Sequence, residues 1–199
     1  MKNFNQKTRY DFSIIENWTH SNSKVLDLGC GDGGLLNYLK YRKNIKGFGI
    51  EKNPENWLLS LKNNIDVIQM DLETGLAGFE TKSFDLVILS RTIQSMRNVE
   101  DIIHEMLSVG KEVVITFPNF GYWKNRLQIL QGYMPVSKEL PFKWYDTPNV
   151  HLCTIHDFDS FCRKNKIKVK ERLILTDKKS VNFYPNFFGA LALYKLVSK

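Results

Sequence analysis

The sequence predicts an α/β fold built on a mostly parallel seven-stranded sheet that ends in a C-terminal antiparallel hairpin. Three observations carry that prediction. Short runs rich in Val, Ile and Leu recur at 24–28, 45–51, 65–70, 85–90 and 112–117, the composition of parallel strands covered on both faces. Segments with apolar residues at helical spacing separate them, and such alternation implies helices packed on a parallel sheet. Two further strands, at 166–175 and 190–197, flank a segment with Tyr184-Pro-Asn and Gly189, which predicts an antiparallel pair at the sheet edge.

Taken in order, residues 8–18 place Ile14, Ile15 and Trp18 on one side of a leading helix. The first strand, 24–28, runs into glycines, and Leu35, Leu36 and Leu39 then share one helical face. After the second strand, Asn53-Pro54 provides a cap and a first-position proline for a helix through Trp57, Leu58 and Leu61. The third strand is followed by Asp71, and the fourth by a loop over 91–96. Asn98 is then expected to cap a helix bearing Ile102, Ile103, Met106 and Leu107. Strand five leads through Pro118-Asn-Phe-Gly-Tyr-Trp123 to a helix that stops at Gly132. Residues 133–154 form a long loop rich in proline and aromatics, a candidate lid or partner surface. Thr154 and Asp157 form a capping box for a helix with Phe158, Phe161 and Cys162 inward.

The candidate site is the turn Val25-Leu-Asp-Leu-Gly-Cys-Gly-Asp-Gly-Gly34 between strand and helix. Glycines there allow positive φ and close approach of a ligand to the main chain. Gly29-x-Gly31-x-x-Gly34 matches a dinucleotide fingerprint, in which a pyrophosphate meets the helix N-terminus. Asp27-x-Gly29-x-Gly31-x-Gly33 matches a turn holding the amino-acid end of S-adenosylmethionine. Asp27 favours the second reading, because a carboxylate attracts an amine-bearing cation and repels a pyrophosphate. Glu51 ends the second strand where a carboxylate can accept from ribose hydroxyls, and Asp71 is placed to accept from an adenine amino group. Cys30, Lys52, Leu72 and Ser90 complete the candidate set.

The 199 residues, 43% of them hydrophobic, are read as one domain over 1–199. No apolar leader or spanning segment is visible, so a soluble cytoplasmic protein without a membrane partner is expected. Cys30, Cys153 and Cys162 have neither pairing nor zinc-site spacing, and no metal site is expected. The charge of +7 is partly local: Lys164, Lys166, Lys168, Lys170 and Arg172 alternate with apolar residues, as on a strand with one solvated face. That pattern weighs against a nucleic-acid stripe. The terminal hairpin suits a methyltransferase layout, and no residues remain for the separate substrate domain of a dehydrogenase.

The motifs resemble those of class I S-adenosylmethionine-dependent methyltransferases, with their Rossmann-like sheet. A closer resemblance covers nearly the whole chain. The glycine turn, Phe117-Pro-Asn-Phe-Gly-Tyr-Trp123, Asn125-Arg-Leu-Gln128 and the run from Met134-Pro-Val-Ser-Lys through Trp144-Tyr-Asp-Thr-Pro-Asn-Val-His-Leu-Cys-Thr154 resemble the methionine-biosynthesis MetW family. That resemblance implies a pocket for S-adenosyl-L-methionine or S-adenosyl-L-homocysteine and a homoserine O-acyltransferase (MetX-type) partner that the protein activates. It carries over no catalytic residue. Ser90-Arg-Thr-Ile lacks the Asn/Asp-Pro-Pro-aromatic motif of amino-methylating enzymes, and Phe117-Pro-Asn-Phe120 resembles it only superficially. His151 and His156 are the best general-base candidates by chemistry. An active methyltransferase on a small molecule, or less favoured on RNA, is the alternative.

Overall fold

The computed structural model describes residues 9–198. The expected start of the leading helix at Thr8 lies outside them. Helix α1 (Tyr10–Trp18) precedes β1 (Lys24–Leu28), α2 (Gly34–Lys43), β2 (Lys46–Glu51), α3 (Pro54–Lys62) and β3 (Asp66–Gln69). Strand β4 (Phe84–Ser90), helix α4 (Val99–Val109), β5 (Gly110–Pro118) and α5 (Trp123–Leu130) follow. Residues 131–154 hold no helix or strand, as expected, before α6 (Ile155–Lys164) and β6 (Lys168–Thr176). The chain ends with β7 (Lys179–Ser180), α7 (Pro185–Phe188) and β8 (Leu191–Val197).

The strands form one sheet in the order β3-β2-β1-β4-β5-β8-β6-β7. The first five pair in parallel, and β8 is antiparallel to both β5 and β6. The sheet therefore has eight strands rather than seven. The extra one is the two-residue β7, folded back on β6 through Asp177 and Lys178, whose φ values of 47° and 69° suit a tight hairpin turn. The expected antiparallel pair is present, with β8 between β5 and β6.

Side-chain alternation divides the core into two layers. Val25, Leu86, Ile88 and Val114 pack with Ile15, Leu36 and Leu39 of α1 and α2 on one face. Leu26, Leu28, Val87, Leu89, Val113 and Ile115 pack with Ile103 and Met106 of α4 and Phe158 of α6 on the other. Each such aliphatic, once removed from water, contributes roughly 1.5–3 kcal/mol, so neither face can be stripped without unfolding the sheet.

The caps follow the sequence with one exception. Asn53 Oδ1 accepts from the backbone N–H groups of Glu55 and Asn56, and Thr154 with Asp157 forms the reciprocal box. Asn98 makes no side-chain cap; its Nδ2 instead donates to Glu73 Oε2 at 3.2 Å. The basic strand β6 is held by ion pairs: Lys170 meets Glu112, and Arg172 lies 2.7 Å from Asp159. Lys195 of the adjacent β8 is buried against Glu112 at 2.8 Å.

Candidate cofactor site

Strand order reverses between β1 and β4, and a crevice outside the carboxyl ends of such strands is where doubly wound folds bind ligands. The glycine turn lies there. Gly29, Gly31 and Gly33 have φ of 69°, 58° and 76°. A Cβ at Gly29 would meet Thr92 at 2.9 Å and one at Gly33 would meet Ile65 at 2.8 Å, whereas at Gly31 nothing lies within 4 Å. Gly29 and Gly33 are thus required by the fold, and Gly31 leaves open space for a ligand.

The turn is fastened from several sides. The N–H groups of Gly29 and Cys30 donate to the Ile50 carbonyl, and Ser60 Oγ donates to the Gly31 carbonyl at 2.8 Å. Glu51 is buried and its two carboxylate oxygens accept from Gly31 N and Asn53 N, each at 2.8 Å. The expected ribose acid therefore also ties the turn to the start of α3, and its remaining lone pairs are what a ribose could use. Cys30 is buried with its sulfur 3.8 Å from Ser60 Oγ and close to Gly49, where a Cβ would meet it at 2.5 Å. Burial, with the Asp27 charge, pushes its thiol up to about 12. Its main chain is bonded within the turn too, the N–H to the Ile50 carbonyl and the carbonyl to Gly33 N–H, each at 3.0 Å.

Asp27 sits on β1 with its side chain buried, and its Oδ1 has no hydrogen-bond partner among the described residues. Desolvation lifts its pKa to about 7; the Glu51 charge adds to the rise and Arg9 opposes it. A buried, unpaired carboxyl oxygen beneath a glycine turn fits a cationic amino group and does not fit a phosphate.

Asp71 is half-exposed; its Oδ2 pairs with Lys52 Nζ at 2.8 Å and its Oδ1 accepts from Glu73 N at 3.1 Å. The Lys52 hydrogen bond is the main cause that holds its carboxyl below the usual range. Leu72 is buried at the head of a short 3-10 turn. Ser90 closes the far side, where its Oγ accepts from Arg9 Nη2 at 2.8 Å and lies 3.2 Å from Thr116 Oγ1. The structure thus arranges the predicted residues around β1, β2, β3 and β4 carboxyl ends, with Lys52 at the rim.

His151 and His156 do not join them. The His151 ring is 3.2 Å from the Arg97 carbonyl in a small cleft with Ile93, Val99 and Phe158, and His156 is exposed in the first turn of α6. Sequence reasoning missed Arg9, Asp11, Arg91 and Glu139, which meet beside Ser90. Asp11 Oδ2 lies 2.5 Å from Arg9 Nη2 and 3.4 Å from Arg91 Nε, and Arg91 Nη2 lies 2.8 Å from Glu139 Oε2. Only the position of Arg91 directly after an apolar strand hinted at this.

This sheet order, with the glycine turn at its reversal, defines the Rossmann-like fold of class I S-adenosylmethionine-dependent methyltransferases. A possible histamine N-methyltransferase from Thermotoga maritima superposes with a TM-score of 0.69 at 15% identity, covering 96% of this chain and 88% of that one. A TehB-like methyltransferase from Corynebacterium glutamicum gives 0.66 at 14% identity, covering 98% and 90%. On that fold, the chain belongs to the methionine biosynthesis protein MetW family, whose profile matches residues 9–196. The bifunctional methionine biosynthesis protein MetXA/MetW of Rhodopirellula baltica is 37% identical over 161 residues, 76% of this chain. The chain spans about a quarter (26%) of that relative's length.

Proposed function

We propose that this chain binds S-adenosylmethionine or S-adenosylhomocysteine in the crevice and acts with a homoserine O-acyltransferase, raising that partner's activity. The fused relative carries the partner half of this reading: a single polypeptide named for both MetXA and MetW supports association of the two activities. The cofactor half rests on Asp27, whose buried, unpaired oxygen suits the ligand's amino group. Gly29, Gly31 and Gly33 would admit the amino-acid end, Glu51 the ribose and Asp71 with Leu72 the adenine. Cys30, Lys52 and Ser90 border the same crevice. S-adenosylmethionine, when bound, would supply an activated methyl sulfonium; what this chain contributes is the cradle and the buried Asp27 carboxyl.

The partner surface is assigned to residues 120–154. Tyr133, Trp144 and Tyr145 there are 70%, 73% and 63% exposed, and aromatic residues of this kind anchor interfaces. Activity of the acyltransferase should rise when this chain is added and should vary with S-adenosylmethionine concentration. Acyl transfer that is indifferent to the chain refutes the partner half. Calorimetry with S-adenosylmethionine, S-adenosylhomocysteine and NAD tests the cofactor half separately, since only the two sulfur ligands should bind and Asp27→Ala should abolish the heat.

A second reading, methyl transfer to a small molecule, is favoured by the cleft that adjoins Ser90 through Arg9. It requires a proton acceptor, and Asn119 is not a free group for that chemistry. Its Oδ1 accepts from Gly121 N and Ile155 N, while its Nδ2 donates to the carbonyls of Asn186 and Gly189.

A further inference from the structure

Next to the cofactor crevice lies a cleft of about 500 Å³. It is walled by the start of α1, the residue after β4, the turn at 137–140, the β6–β7 hairpin and the start of β8. Its volume exceeds what a free amino acid needs. Leu175 and Leu191, both buried, give it an apolar floor. Arg9, Arg91, Lys138 and Lys178 bring four cations, against the acids Asp11, Glu139 and Asp177. Arg9 is committed, since it donates to Asp11 through Nε at 3.1 Å and through Nη2, which also reaches Ser90.

Arg91 is held but not satisfied. Its φ of 58° is uncommon for a side chain of this size, and its N–H donates to the carbonyl and hydroxyl of Thr116 at 2.9 and 3.1 Å. The fold therefore spends backbone strain to place this guanidinium. Among the described residues, its side-chain contacts are two ion pairs, with Glu139 and Asp11. Neither forms an aligned hydrogen bond: Arg91 Nε and Glu139 Oε2 are both buried without hydrogen-bond partners. An incoming carboxylate that met the guanidinium fork squarely would make two charge-assisted hydrogen bonds. Glu139, displaced from Arg91, would then face the ligand's cationic end together with Asp177.

We propose that this cleft binds a small free α-amino acid, its carboxylate on Arg91 in place of Glu139 and its ammonium on Glu139 and Asp177. The mixed lining favours a zwitterion over a simple anion, because the ligand's ammonium gives Glu139, once displaced from Arg91, and Asp177 a partner that a simple anion does not bring. Glu139 belongs to a turn closed by Ser137 N to Leu140 O and Leu140 N to Ser137 O bonds at 2.8 and 3.1 Å, with Leu140 buried. Occupancy thus acts on the loop that carries Trp144 and Tyr145.

The test uses the full chain without S-adenosylmethionine, so it stands or falls apart from the cofactor reading. L-methionine, L-norleucine, butyrate, n-butylamine and inorganic phosphate are titrated by calorimetry. The amino acids are expected to bind saturably and at least tenfold more tightly than butyrate or n-butylamine. Arg91→Gln should weaken the amino acids at least tenfold, and Arg91→Lys, which keeps the charge and loses the fork, should fall between. Glu139→Gln removes the internal competitor and should tighten butyrate several-fold while weakening n-butylamine. If Arg91→Gln fails to fold, the Arg91→Lys and Glu139→Gln titrations decide alone. Absence of amino-acid binding, phosphate binding in its place, or affinities unmoved by these substitutions overturns the proposal.

Discussion

A carboxyl group on a central strand beneath a glycine turn, as Asp27 is, keeps its proton far above the usual range because ionising it there forfeits hydration. Its pKa rises from the ordinary 3.8 to about 7. Between those values the unfolded chain has released the proton and the folded one has not, so the Asp27 contribution is whole below pH 3.8 and is lost as pH rises towards 7. The cost reaches at most about 4 kcal/mol above pH 7, at 1.36 kcal/mol per unit. Asp27→Asn removes the charge and keeps the shape. Thermal melts should therefore show the variant several degrees above wild type at pH 8 and the gap closing by pH 4. An equal gap at both pH values would remove the electrostatic account. The position of Asp27 beneath the glycine turn was legible in the sequence from its spacing to Gly29. The unpaired oxygen was not, because it depends on which groups α1 and β2 bring near.

Elements were legible where local chemistry decides them. The Asn53-Pro54 start of α3 and the Thr154/Asp157 box of α6 use side chains that bond within three residues, and both form as read. Asn98 failed for a tertiary reason, since Glu73 on a distant turn takes its amide. Strand β7 was invisible because two residues carry no periodicity. Asn119 shows the limit most clearly. It sits between β5 and α5, but its amide ties in α6 at Ile155 N and α7 at the Asn186 and Gly189 carbonyls. It is 1% exposed. Asn119→Ala would leave several buried backbone groups unpaired, at about 1–3 kcal/mol apiece before relaxation. A loss of roughly 3 kcal/mol in urea unfolding is expected, while Asn119→Asp retains the acceptor and loses the donors and should also destabilise. An Asn119→Ala protein with unchanged midpoint would contradict this structural role.

At the scale of the whole molecule, the fold was readable because strands and helices alternate along the chain from β1 to β5, except between β3 and β4, and that order sets the crevice. The cleft beside it was not readable, because it is assembled from α1, the 137–140 turn, β6 and β8, which lie far apart in sequence. The same distance effect shapes the outer surface. Leu127 and Leu130 of α5 are 45% and 84% exposed, and Tyr133, Met134, Trp144 and Tyr145 of the loop that follows are exposed as well. Arg126 lies 5.7 Å over the Phe187 ring of α7, which brings that helix alongside α5. Under the proposed function, the fused MetXA/MetW relative supports a protein occupant. Trp144 packs edge-on against Tyr145 with ring centroids 5.6 Å apart. Neither ring is buried, so truncating both should cost little stability, and any change in association would report on the surface. Trp144→Ala with Tyr145→Ala should retain the wild-type melting temperature and weaken copurification with the homoserine O-acyltransferase at least tenfold, as expected where aromatic anchors each contribute about 2 kcal/mol. A doubly substituted protein that still copurifies in full would place the contact elsewhere on the chain.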